Sequence, residues 1–161
     1  MLNLYLLRHG KARTEADSGE DFDRKLNKKG TAQANQIGLI LRQKEARIDQ
    51  IISSGAARTT ETAEIVNHFI QGPSIEYHDD LYLAGIDGIL HCLNHEGKGK
   101  NLLYVGHNFG ISDIVGYLSG ENMSLSTCQL VHIRFALDDW KLVSRETGIV
   151  QETIVPDVLT F

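Results

Sequence analysis

The 161-residue chain has only two cysteines, two prolines and one tryptophan. Cys92 and Cys128 are far apart and form no CxxC pair, so they read as free thiols in a reducing, cytoplasmic compartment. Basic residues are in deficit, 16 Lys and Arg against 21 Asp and Glu, for a net charge of −5. That balance argues against a nucleic-acid partner. No apolar run approaches the roughly 20 residues that span a bilayer. The N-terminus lacks the basic region and small-residue cleavage site of a signal peptide. A cytoplasmic protein with neither a membrane nor a nucleic acid as partner is expected. No internal repeat, linker or low-complexity segment divides it. An apolar content of 42% over this length fits one domain, 1–161, with a real core.

Leu2 to Leu7 reads as a buried strand, and residues 11–30 as a polar loop. Ala34, Ile37, Gly38 and Leu41 fall at helical spacing within a helix from Thr31 to about Arg47. A short strand over residues 49–53 precedes a helix from Ala57 to Ile70. Ile75–Tyr77 reads as a strand, 86–95 as a helix, Asn101–Val105 as a buried strand and 111–118 as the last helix. Gln129–Ala136 and Trp140–Arg145 read as a late antiparallel pair. Strands alternating with helices predict an α/β three-layer sandwich, its central sheet mostly parallel and its helices on both faces. The connection between Tyr77 and Asn101 is mostly one helix, which leaves no room for a cap domain.

Three strand-to-loop junctions carry the unusual residues: Arg8-His9-Gly10, Ser53-Ser54-Gly55-Ala56-Ala57-Arg58 and Gly106-His107-Asn108. In open parallel sheets ligands bind beyond the carboxyl ends of the strands, so the three can converge. Two arginines, two histidines and two helix N-termini would then meet at one point. Arginine matches phosphate oxygens with a planar fork, and helix N-termini add unpaired N–H groups. Cationic neighbours keep a histidine neutral, and a neutral imidazole is a nucleophile able to form a phosphohistidine that water later hydrolyses. His9 and His107 are both candidates. His9 is preferred because it sits beside Arg8 at the strand tip, where Gly10 lets the backbone turn closely.

Taken singly, a histidine at a strand end or a lone arginine is ordinary; the set of three junctions carries the inference. Other histidines carry less. His91 and His95 stand four apart on one helix, but no HExxH glutamate lies between them, so no metal ligand set is assigned. Gly97-Lys98-Gly99-Lys100 lacks the spacing of a phosphate-binding P-loop.

In order along residues 2 to 145, LYLLRHGKA, DFDRKLNKKG, SSGAARTTETA, DLYLAG and LLYVGHNFGISD resemble the histidine phosphatase superfamily. They are most similar to its small SixA-like branch of protein phosphohistidine phosphatases. The resemblance implies a phosphatase in which His9 accepts the phosphoryl group. Arg8, Arg58, His107 and its neighbour Asn108 would bind that group, with no metal and no organic cofactor. The implied partner is a phosphohistidine-containing phosphotransfer or signalling protein, and phosphate is the product. Relatives often carry proline where this chain has Gly55 and Phe109. Asp80 is the first candidate for a general acid and Asp79 the second. An imidazole leaving group, with a pKa near 6.5, needs such an acid less than an alkoxide does. By family analogy Thr127 lies near the pocket. Asp21, Asp23 and Arg24 read as organising the loop beside the site, with docking of a phosphoprotein the alternative for Arg24. Two alternatives stay open: a phosphatase for small phosphoesters, and a non-catalytic phosphoprotein-binding module.

Overall fold

Leu2–Arg8 forms β1, whose side chains alternate between the two faces of a sheet as a period of two requires. The computed structural model describes residues 1–157; residues 158–161, which the expected domain includes, lie outside the described residues. The other strands are β2 (Gln50–Ser54), β3 (Ile75–His78), β4 (Asn101–Gly106), β5 (Leu130–Phe135) and β6 (Gly148–Ile154). They make one six-stranded sheet in the order β3-β2-β4-β1-β5-β6. The β1–β4, β2–β4 and β2–β3 pairs are parallel, while β5 runs antiparallel to both β1 and β6.

The helices are α1 (Lys28–Gln43), α2 (Ala57–Ile70), α3 (Ile86–Glu96) and α4 (Gly110–Ser119). Leu7, Leu103 and Val105 of the sheet pack with Ile37, Leu41, Ala63 and Val66 of α1 and α2. Leu4, Leu6, Leu102 and Tyr104 point the other way, against Ile89, Leu93, Ile114 and Leu118 of α3 and α4. Two apolar cores on opposite faces of one sheet are the expected three layers, and the described residues add no cap domain.

Both ends of α1 and the partner of β5 differ from expectation. Helix α1 begins earlier, at Lys28, because Asn27 caps it: its side-chain oxygen accepts from Gly30 N at 2.8 Å. It ends at Gln43, and Glu45 beyond it has φ 55°, outside the helical region. The late antiparallel pair exists, but β5 pairs with Gly148–Ile154 rather than with residues 140–145. Trp140–Leu142 is a single 3-10 turn. The carbonyls of Trp140 and Val143 accept from the Asn94 side chain at 2.8 and 3.0 Å, and buried Trp140 donates from Nε1 to Gly99 O. Those groups are therefore engaged by α3 and the 97–100 loop, away from the sheet.

One close approach fixes the sheet tip against α1. A Cβ on Gly10 would lie 2.7 Å from Gly30 O, and one on Gly30 would lie 2.0 Å from Lys11 O. Backbone passes backbone here with no room for a side chain, so Gly10 serves this contact.

Candidate active site

The parallel pairing places the carboxyl ends of β1, β2 and β4 side by side, with Arg8 opposite Gly106 in register. His9 and His107 follow directly, and their ring centroids lie 5.3 Å apart. Arg58, from the first turn of α2, is buried beside them. Gly10 N donates to Thr62 Oγ1 on α2 at 3.1 Å, fastening the loop after β1 to that helix. Neither α2 nor α4 has a side-chain cap, and in the first turn of α4 Ile111 N donates to His107 O at 2.9 Å. The three junctions thus meet as expected.

The hydrogen bonds fix which nitrogen of each histidine carries its proton. His9 Nδ1 lies 2.7 Å from Gly10 O. A carbonyl only accepts, so Nδ1 holds the hydrogen and Nε2 keeps its lone pair. His107 Nε2 lies 2.8 Å from Ser54 Oγ. Ser54 Oγ accepts from Ala56 N at 3.2 Å, and among the described residues His107 Nε2 is the acceptor within reach of its own buried hydroxyl hydrogen, so that hydrogen is assigned to His107 Nε2. His107 Nδ1 then bears a hydrogen for donation. Burial lowers the His9 pKa to about 4, assisted by the charges of Arg58, Arg8 and Arg24 against the opposing Gly10 hydrogen bond. Burial, followed by His9 and Arg58, lowers that of His107 to about 3. Both rings are neutral at neutral pH.

The arginines are held at one end and open at the other. Arg8 donates from Nη1 to Leu125 O at 2.9 Å. Arg58 donates from Nη1 and Nη2 to the carbonyl and carboxylate of Asp21, at 2.8 and 3.0 Å. Arg8 Nε, Arg58 Nε and His107 Nδ1 are buried with no hydrogen-bond partner among the described residues. Buried donors are nearly always paired, and three unpaired cationic or N–H donors in one cluster are the requirement of a bound oxyanion.

Several contributors have no role in the sequence reading. Ser54 sets the His107 tautomer. Tyr82 donates its hydroxyl to Asp21 Oδ2, meets His107 edge-on at 5.4 Å and lies beneath the Arg58 guanidinium at 5.8 Å. Asp21 also accepts from Arg24 Nε at 2.8 Å. The Tyr82 hydroxyl, followed by Arg24 and Arg58, holds the Asp21 carboxyl well below the usual range. Both Ser54 and Tyr82 stand inside the quoted motifs, but only the distance between separate loops reveals their partners.

Asp80 is exposed, and its charge is felt at the Cys92 thiol and the Tyr104 phenol, in the α3–α4 core. Asp79 is the carboxylate that reaches the β2–α2 loop: a Cβ on Gly55 would lie 1.9 Å from its Oδ1. The space a proline ring would fill at Gly55 is thereby taken. The Asn108 amide is engaged within the protein at both ends, donating to Leu125 O at 3.0 Å and accepting from Ser112 Oγ at 2.6 Å. Asn108 therefore steadies the Leu125 carbonyl that also receives Arg8, and these bonds use only one of its two Nδ2 hydrogens. Thr127 Oγ1 accepts from Gln33 Nε2, and Gln33 Oε1 accepts from Lys11 N, so the 125–128 loop is tied to the rim. Among the described residues no three His, Cys, Asp or Glu side chains cluster as a metal site, and no helix is long and apolar enough to cross a membrane.

An α/β sheet that gathers two neutral histidines and two open arginines at its strand tips defines a phosphate-handling enzyme. Residues 4–82 match the family model described as histidine phosphatase superfamily (branch 1). The fold is similar to the Agrobacterium tumefaciens structure assigned as phosphohistidine phosphatase SixA, with a TM-score of 0.84 and 26% identity over 96% of this chain and 98% of that one. It is also similar to the protein histidine phosphatase SixA solved with tungstate, at a TM-score of 0.81 and 20% identity over 96% and 97%. An uncharacterized protein of Picosynechococcus is 36% identical over 140 residues, covering 83% of this chain and 85% of that one. The chain belongs to the histidine phosphatase superfamily, and its reaction class is that of a phosphatase.

Proposed function

We propose that the chain removes the phosphoryl group from phosphohistidine on a phosphotransfer or signalling protein, with His9 as the covalent acceptor. The observation that carries this reading is the unprotonated Nε2 of His9 set among three buried donors that have no partner among the described residues. Nε2 attacks phosphorus, and the P–N bond of the substrate breaks. The departing imidazole, whose free pKa is about 6.5, takes a proton from solvent. Arg8, Arg58 and His107 Nδ1 hold the three equatorial oxygens as charge develops. Water then attacks the phosphorus on His9, the second P–N bond breaks, and phosphate leaves with Nε2 restored. No step calls for a metal or an organic cofactor. The protein acts as a single domain in the cytoplasm, consistent with its net negative charge and free buried thiols.

The experiment is a trapping assay with a 32P-labelled phosphohistidine protein. Label should appear on His9 as an acid-labile adduct, and His9→Ala should retain less than about 1% of the wild-type rate. Recovery of most of the rate in His9→Ala, or label on His107, would refute the assignment.

A further inference from the structure

Phe109 and Leu83 are 79% and 54% exposed. Single exposed apolar residues are ordinary on any surface, but a close backbone approach brings together the two turns that bear these residues, beside the site. A Cβ built on Gly110 would lie 1.8 Å from Ala84 O, so the turn bearing Leu83 sits directly against the start of α4, beside Phe109. Tyr82, next in the chain to Leu83, packs edge-on against both His107 and Phe22, at 5.4 and 5.1 Å. An apolar rim thus continues outward from the wall of the phosphoryl site. Leu83 has φ 53°, a left-handed conformation uncommon for residues with a Cβ. Neither core contains it, and no bond of the site uses it.

We infer that Phe109 and Leu83 form the docking rim for the protein that carries the phosphoryl group, pairing with an apolar patch beside the phosphorylated residue. The inference rests on the proposed function. His9 and His107 are only 7% and 3% exposed, so the phosphoryl group must be lowered past the rim to reach Nε2. A phosphohistidine reaches inward by one side chain, which leaves the surrounding surface of its protein lying on Leu83 and Phe109. Free phosphohistidine or a small ester has nothing to place there. Aromatic side chains such as Phe109 are enriched in the buried centre of protein interfaces, which here would form around the inserted phosphohistidine.

The test compares two substrates: a phosphotransfer protein phosphorylated on histidine by phosphoramidate, and free phosphohistidine. The variants are Leu83→Asn, Phe109→Ser and the double variant. Asparagine tolerates a left-handed φ, so Leu83→Asn keeps the turn and carries the test alone if Phe109→Ser lowers the melting temperature. The expected result is a KM for the protein substrate about tenfold or more higher in the double variant, with about threefold in Leu83→Asn. Hydrolysis of free phosphohistidine and inhibition by vanadate stay within about twofold of wild type. An unchanged KM on the protein, or equal losses on both substrates, overturns the rim. A wild-type enzyme that leaves protein phosphohistidine intact instead overturns the proposed function, and the rim falls with it; the two failures are told apart by the wild-type arm alone.

Discussion

Two histidines kept neutral inside the protein link acid stability to the candidate site. His9 and His107 have folded-state pKa values of about 4 and about 3, against about 6.5 in the unfolded chain. Between these limits the unfolded chain binds protons that the folded one does not, so stability rises with pH through this window. It is therefore expected to fall as pH drops from about 6.5 to about 4. His9 alone would contribute on the order of 3 kcal/mol to that fall, at about 1.4 kcal/mol per tenfold change in its ionisation constant. Asp21 acts in the same direction but only below the ordinary carboxylate range, so it does not confuse the window. Urea denaturation of wild type and His9→Ala across pH 4–7 checks this: the variant should show the shallower slope, and parallel slopes would contradict it. Arg58 supplies a second prediction. Its Nη atoms are committed to Asp21 and its Nε is open, so a lysine could keep the charge but not both contacts. Arg58→Lys should lower kcat by roughly 100-fold or more, read by steady-state kinetics, and a near-wild-type rate would show that charge alone suffices.

At the scale of elements, the site is a meeting of loops, and the 11–27 loop is held to it by Asp21. That carboxylate receives Arg58, Arg24 and the Tyr82 hydroxyl together. Tyr82→Phe keeps the ring against His107 and removes only the hydroxyl. Vanadate affinity should drop severalfold, about 3- to 10-fold for one charge-assisted hydrogen bond, while the melting temperature changes little. Loss of stability without loss of vanadate binding would assign Tyr82 to folding alone. Gly30→Ala probes the opposite face of the loop: its Cβ would fall 2.0 Å from Lys11 O, so a destabilisation of about 1–3 kcal/mol is expected in denaturant titrations. Much of this was legible in sequence. Strands β1, β2 and β4 are apolar runs that stop at Arg8, Ser54 and Gly106, and α2 has a clear buried stripe of Thr59, Ala63 and Val66. The start of α1 was missed because its cap, Asn27, sits in a charged stretch that reads as loop. The segment at 140–145 reads as a strand because Trp140 and Val143 are buried, yet their carbonyls answer to Asn94, a contact across 46 and 49 residues that periodicity cannot carry. The same holds for the site: Arg8, His9, Arg58 and His107 stand at strand and helix ends, whereas the Ser54–His107 and Asp21–Tyr82 bonds join positions more than 50 residues apart.

For the molecule as a whole, what matters is that among the described residues no cap domain stands over the strand tips. Without a cap, a sugar phosphate gains few contacts around its non-reacting part, whereas a protein brings its own surface to the rim. The supply of protons points the same way. The charge of exposed Asp80 is felt at Cys92 and Tyr104, whereas the Asp79 carboxylate reaches Gly55 in the β2–α2 loop that leads to Arg58. An alkoxide leaving group needs a proton from such an acid at the moment of bond cleavage; an imidazole, basic enough to be protonated from solvent near neutral pH, does not. Asp79→Asn should therefore slow hydrolysis of an alkyl phosphate by about 10- to 100-fold and of phosphohistidine by no more than about threefold, while Asp80→Asn should leave both near wild type. The measurement is kcat/KM for the two substrates in the three proteins, made with and without a chelator. Because Arg8 and Arg58 supply the positive charge, chelation should change none of the values. Equal losses on both substrates in Asp79→Asn, a larger effect of Asp80→Asn, or a wild-type preference for the alkyl phosphate would instead favour an enzyme of small phosphoesters.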